Sequence, residues 1–399
     1  MSAPQRIRLP WHSPADLAPQ LAAHWGAEGL IWLDADGSSL GRWATLAVDP
    51  LEQHCCRGLP GDAGAANPFA LLQQLGSGHW CGWLSYEAAA WVEPAGHWKR
   101  DTLASLWIAR HDPVLRFDLQ QRQLWLEGVN PQRLQQLARW IEALPATNAN
   151  KADHANNASA SSAAEPAIAV AQWQWHSSAT QFAASVEAIR ERIASGDLFQ
   201  ANLTACCSTS LPADFGSGAA AALPLFARLR RHCPAPFAGL VIAGGAAAGE
   251  AVISASPERF LQVDASGLVE TRPIKGTRPR RSDPQADADQ AIELVCSSKD
   301  RAENVMIVDL LRNDLGRVCE PGSVRVPQLV GLESYAQVHH LTSVVTGQLQ
   351  AGRSWADLLE ACWPGGSITG APKVRACQRL AELEPVARGP YCGSLLRRD

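Results

Sequence analysis

Residues 270–280, ETRPIKGTRPR, set one lysine, Lys275, among Arg272, Arg278, Arg280 and the adjoining Arg281, in a chain whose formal net charge is −4. Arginine stays charged and grips carboxylates bidentately, whereas a lysine crowded by cations can lose its proton and attack an electrophile. The segment therefore reads in two ways, as a solvated basic loop or as a site built around a nucleophilic amine. Just upstream, ERFLQVDASGLVETRP has the form of a β-hairpin, two β-prone runs around a four-residue turn, Asp264–Gly267. Pairing Val263 with Leu268 would set Ser256 opposite Lys275 and Glu258 opposite Pro273. Glu258 and Lys275 would then share a face as diagonal neighbours, their Cβ atoms roughly 7–8 Å apart, with room for a small ring between acid and amine. A slip of one residue would send them to opposite faces, and Pro257 and Pro273 restrict such pairing to an edge or strand end.

Asp300 and Glu303 lie three apart at the start of a helical pattern, on one face. D-x-x-E is a capping arrangement; it is equally a pair of hard oxygen ligands for Mg²⁺, which usually takes one or two protein carboxylates plus substrate and water. In PGGSITGAPK, 364–373, Gly365 and Gly370 have the spacing of a phosphate loop. Ala371 and Pro372 stand where that loop needs lysine and a hydroxyl, which excludes nucleotide binding. A Gly/Ser/Thr turn with free N–H groups can still hold a carboxylate.

Several elements must position these groups. Phe182, Val186, Ile189 and Ile193 recur at spacings of four, three and four, one face of a helix that stops near Gly196. FAGLVIAGG and AVISAS read as strands. SSKDRAENVMIVDLLRNDLG reads as a helix with apolar positions 302, 305, 306 and 310 and a stop at Gly316; Asp309, Arg312 and Asp314 fit ion pairs at helix ends. Residues 145–169 are Ala/Asn/Ser-rich without apolar periodicity. They predict a flexible linker, 146–170, between an N-terminal region, 1–145, and a catalytic region, 171–399.

With 399 residues, 46% hydrophobic and 19% charged, the chain has the balance of a globular protein with a sizeable core. A pI near 6.3 argues against nucleic acid or an anionic membrane as the main partner. No run approaches the roughly 18 apolar residues of a membrane span, and the N-terminus lacks a signal-peptide core. Eleven cysteines without a C-x-x-C predict thiols in a reducing cytoplasm rather than a disulfide frame or zinc site.

SGDLFQANL, SPERF, ETRPIKGTRPR, KDRAENVMIVDLLRNDLGRV, VHHLTS, PGGSITGAPK and GPYCGS follow one another over about 190–394. Together they resemble the chorismate-utilising enzymes, with a looser likeness in GRWATLAVDP and GWLSYEAA. The resemblance implies an α/β (α+β) fold of two packed β-sheets flanked by helices. PIKGT with lysine resembles the aminodeoxychorismate synthase members, whereas anthranilate synthases carry alanine there. By that likeness Lys275 attacks C2 of chorismate, its neutral form favoured by the surrounding arginines, while Glu258 protonates the departing 4-hydroxyl. Ammonia from a glutaminase subunit then adds at C4. Glu303 and Asp300 would hold Mg²⁺ against the ring carboxylate, and His340, Thr369, Gly370 and Tyr391 fall on substrate-pocket positions. The alternatives are an anthranilate synthase large component and an inactive relative that only binds the glutaminase subunit. Members of the family resemble one another for several dozen residues beyond YCGS, and LLRRD does not look like that continuation. The likeness therefore predicts an incomplete site, an unpaired sheet edge and weakened activity.

Overall fold

A strand covered on both faces reads as an unbroken apolar run. Two such runs, FAGLVI and HWCGWL, lie at the centre of the fold. The structure, a computed structural model, describes residues 4–94, 97–145, 168–169, 172–335 and 337–399. The expected linker, 146–170, lies outside the described residues except for 168–169. One sheet has seven strands in the order β1 (Gln5–Leu9), β8 (Gln123–Gly128), β7 (Val114–Asp118), β3 (Trp43–Ala47), β2 (Ile31–Leu33), β12 (Phe237–Ile242) and β13 (Ala251–Ser256). A second has four, β20 (Ser394–Arg398), β5 (His79–Leu84), β6 (Leu106–His111) and β4 (Glu52–Cys56). Strands from both sides of 146–170 are neighbours in each sheet, β2 with β12 and β5 with β20.

These two sheets pack face to face. Ile31, Ala47, Val114 and Val241 of the first meet Cys81, Trp83, Trp107 and Ala109 of the second. Because side chains alternate, the intervening residues face outward. Trp32, Leu46, Leu115 and Leu240 pack under α1 (Pro14–Trp25), α3 (Pro131–Glu142) and α5 (Ala222–His232). Trp80, Leu84, Leu106 and Ile108 pack under α2 (Pro68–Gln74) and α8 (Trp355–Cys362). The tryptophan-rich first part is thus largely core: Trp32, Trp80, Trp83 and Trp107 are fully buried. LLRRD, which does not look like the continuation the family resemblance leads one to expect, forms most of β20. Leu395 and Leu396 enter cores on opposite faces, and Arg116 pairs with Asp399.

A third sheet carries Lys275 and His340: β14 (Gln262–Val263), β15 (Leu268–Thr271), β18 (Val338–Gln348) and β16 (Ile274–Pro279), with β17 (Arg325–Ser334) also on β18. Against it lie α6 (Pro284–Cys296) and α7 (Ser298–Gly316). The helix of α7 ends at Gly316 as its sequence predicts, but the buried stripe is Asn304, Ile307, Val308, Leu311 and Leu315. Ala302 and Val305 are exposed. The expected stripe is rotated because Asn304 is wholly buried, donating to the Leu341 carbonyl at 3.1 Å and accepting from Ser343. Polar bonding, invisible to hydrophobic periodicity, sets the face. Farther out, α4 (Ala179–Ala194) buries only Ile189 of its predicted stripe. β9 (Gln174–Trp175) pairs β11 (Cys207–Ser208), and β10 (Gln200–Ala201) pairs β19 (Gly370–Ala371), which leads into α9 (Lys373–Leu383).

Candidate active site

The hairpin forms, one residue out of the expected register and much shorter. Val263 pairs with Val269, not Leu268, and the ladder stops at Gln262. The reason is Asp264, whose carboxylate accepts N–H bonds from Ser266 at 2.8 Å and Leu268 at 3.1 Å, drawing Leu268 into the turn. Ser256 does not face Lys275; it pairs with Phe237 in the seven-stranded sheet.

Glu258 and Lys275 meet all the same, by another route. The β16–β18 register shifts between Ile274 and Thr277, a bulge that contains Lys275 and Gly276. Bulges re-aim side chains. Gly276 has φ +82°, and a Cβ there would come within 2.9 Å of both Asp300 and Leu294, so glycine is required twice over. Lys275 Nζ donates to the Ser367 carbonyl at 3.0 Å, joining the bulge to PGGSITGAPK. Glu258 follows β13 in a tight turn in which the Ser256 hydroxyl accepts from the Glu258 N–H and donates to its carbonyl. Burial pushes the Glu258 carboxyl up to about 7, against the pull of the Lys275 ammonium and an N–H of Ile274. A carboxyl at that value beside an amine can exchange a proton near neutrality.

The arginines do not crowd Lys275 as unpaired cations. Arg272 pairs with Glu333, Arg278 with Glu293 at 2.9 Å and Asp300 at 3.3 Å, and Arg280 with Asp287 at 2.8 Å. Three of the four arginines, Arg272, Arg278 and Arg280, are thus matched by carboxylates.

The other candidates are brought together unequally. His340, on β18, binds Thr277 Oγ1 through Nδ1 at 2.9 Å; burial lowers its imidazole below the usual value, opposed by a bond to the Gly276 carbonyl. Thr369 is wholly buried with its hydroxyl donating to the Gly365 carbonyl at 3.0 Å. Gly370 has φ +151°, and a Cβ there would fall on the Gln200 carbonyl. That close approach lays FQAN along ITGA, with the Asn202 N–H donating to the Thr369 carbonyl and the Phe199 N–H to that of Ala371. Gln200 Oε1 is buried there without a protein partner. Asp300 is not the helix cap. Ser297 is, accepting the Asp300 N–H at 3.3 Å, so the Asp300 carboxylate is free to meet Arg278. Glu303, one turn on, lies 3.8 Å from Lys299 and is about a third exposed. Tyr391 is 63% exposed, in a turn where its N–H donates to the Arg388 carbonyl.

Sequence reasoning missed Arg388. Its buried guanidinium grips Glu384 at 2.6 and 2.8 Å and donates to the Ile368 and Asn202 carbonyls, both at 2.8 Å. It missed Lys373 too, which pairs with the buried Asp314. A basic residue four positions after an acid in ELEPVARG was the available signal for the first. Asp309 and Arg312 form the expected surface pair at 3.4 Å. None of the eleven cysteines is in a disulfide.

The chorismate binding enzyme family matches residues 14–398 of this chain. The chain belongs to that family. It is 45% identical over 223 residues, 56% of this chain and 46% of the other, to aminodeoxychorismate synthase component 1 of Salmonella typhimurium. To anthranilate synthase component 1 of Streptomyces coelicolor it is 43% identical over 226 residues, 56% of this chain and 42% of the other. In such matches the chain spans about half the length of the curated relatives. The crystal structure of anthranilate synthase component I from Streptococcus pneumoniae superposes with a TM-score of 0.65 and 25% identity, covering 89% of this chain and 80% of that one. The mixed α/β architecture is thus that of the chorismate-utilising enzymes.

Proposed function

We propose that this chain is the chorismate-converting component of an aminodeoxychorismate synthase. The observation that carries the reading is Lys275, presented by a bulge beside a Glu258 carboxyl pushed up to about 7. Among relatives of both activities at similar identity, the lysine favours aminodeoxychorismate over anthranilate formation. The unprotonated Lys275 amine forms a bond to C2 of chorismate, the ring double bond shifts, and the C4–O bond breaks. Hydroxide is a poor leaving group, so Glu258 gives its proton to that oxygen and water departs. Ammonia, delivered by a glutaminase subunit, then adds at C4 and expels the lysine amine, giving 4-amino-4-deoxychorismate. The net reaction is transfer of an amino group to chorismate. His340, Thr369, Gly370 and Tyr391 would line the pocket.

Asp300 and Glu303 suit Mg²⁺ as a pair of hard oxygen donors, and the missing Cβ of Gly276 lets Asp300 approach the strand that carries Lys275. Bound there, the ion would neutralise a substrate carboxylate. Among the described residues no helix is long and apolar enough to cross a membrane. The cysteines, none of them in a disulfide, suit a reducing cytoplasm.

The test is covalent. Incubation with chorismate and Mg²⁺ without ammonia, followed by mass spectrometry, should find an adduct on Lys275. It should be lost in Lys275→Ala and also in Lys275→Arg, whose guanidinium does not deprotonate. An unmodified Lys275 in protein that still forms aminodeoxychorismate would overturn the assignment.

A further inference from the structure

Glu87 lies on the 3₁₀ turn Tyr86–Trp91 that follows β5, far in sequence from every residue assigned above. It is buried, and its two carboxylate oxygens accept two successive backbone N–H groups, Arg388 at 2.7 Å and Gly389 at 2.9 Å. A third bond runs beside them, from the Tyr86 N–H to the Gly389 carbonyl at 2.8 Å. Gly389 has φ +60°, and a Cβ there would fall on the Asp101 carboxylate, so the turn is held from two sides.

What this turn holds is the candidate pocket. Arg388 carries the guanidinium bound to the Ile368 and Asn202 carbonyls, next to Thr369, and its own carbonyl accepts the Tyr391 N–H. A change at Glu87 would therefore reach Thr369 and Tyr391 through one residue. A purely packing role does not call for a carboxylate, since an apolar side chain fills space without desolvating a charge. Burial pushes this carboxyl up to about 7, an energetic cost accepted at the position. Two converging N–H groups need two acceptor oxygens, and among side chains only a carboxylate supplies both.

We propose that Glu87 is a positioning residue for the chorismate site, its carboxylate fixing the Arg388–Tyr391 turn and, through Arg388, the backbone around Thr369. The proposal rests on the functional reading above for the identity of the ligand, but not for the mechanics of the turn. Groups facing Glu87 are Asp101, whose charge opposes its ionisation, the Arg388 and Gly389 N–H groups, which favour it, and Cys392. The Arg388 guanidinium is engaged by Glu384, which also accepts from Thr204.

The test compares wild type, Glu87→Gln and Glu87→Asp in the full chain. Glutamine keeps the shape but turns an NH₂ donor toward one of the two N–H groups. Hydrogen exchange at Arg388 and Gly389 should then accelerate by about tenfold or more at one amide, the loss of a hydrogen bond to a charged acceptor. Chorismate affinity, read by tryptophan fluorescence, should weaken by a similar factor, and aspartate should recover part of both. Folded Glu87→Gln protein with unchanged exchange at both amides would overturn the proposal. Where glutamine does not fold, the same comparison with aspartate decides. If wild type fails to bind chorismate while the exchange changes appear, the functional reading falls and the role of Glu87 in holding the turn stands.

Discussion

Glu258→Gln separates an acid catalyst from an incidental buried carboxyl. The Glu258 carboxyl is raised from 4.5 to about 7 by burial. The folded state therefore holds this proton more tightly than the unfolded chain does. Its contribution to stability is fully present below pH 4.5 and is lost as pH rises through 7. At about 1.4 kcal/mol per pH unit the loss is about 3 kcal/mol by pH 8. Unfolding entropy of about 2 cal/mol/K per residue converts this, for 399 residues, to roughly 4 °C in Tm. Glutamine does not titrate, and about 2.5 kcal/mol of that loss falls between pH 5 and pH 8, so the variant's Tm relative to wild type should rise by roughly 3 °C over that interval. Working with the difference cancels Glu87, which burial also raises to about 7. The same substitution should slow formation of the Lys275 adduct at least a hundredfold, within the range of general acid catalysis. A Tm difference independent of pH would refute the buried-acid argument, and an unimpaired adduct rate would remove Glu258 from the chemistry.

Other substitutions probe the scaffold. Gly370→Ala should cost about 3 kcal/mol or more, because its Cβ would fall on the Gln200 carbonyl, and should lower the urea midpoint. Asn304→Ala should cost about 2–4 kcal/mol, since it strands the Leu341 carbonyl and Ser343 hydroxyl of β18; chemical denaturation reads it directly. Asp300→Asn should weaken Mg²⁺ binding about tenfold or more in calorimetry, and equal affinity would take Asp300 out of the metal site.

Much of this was legible because the local chemistry is strong. FAGLVI and AVISAS declared themselves as strands, and the glycine at 316 marked the end of α7. Glu258 and Lys275 were recognised as partners, but through a hairpin that stops at Gln262. A bulge at Lys275 and a side-chain-capped turn at Asp264 override the ideal period of two. The buried face of α7 eluded hydrophobic periodicity because Asn304 sets it by hydrogen bonding. Glu87 and Arg388 were invisible for a different reason: they lie some 300 residues apart, and nothing local in GWLSYEAA tells that its glutamate is buried.

The seven-stranded sheet also governs how the chain can be made. β2 pairs with β12 across about 200 intervening residues, so the sheet lacks its neighbour while the ribosome completes that interval. At about 5–20 residues per second the wait is roughly 10–40 s, long compared with the collapse of a chain this size. Throughout it Ile31 and Trp32, both destined for full burial, have no β12 to cover them. Such topology makes for slow folding, with the N-terminal strands held in waiting rather than finished as a unit.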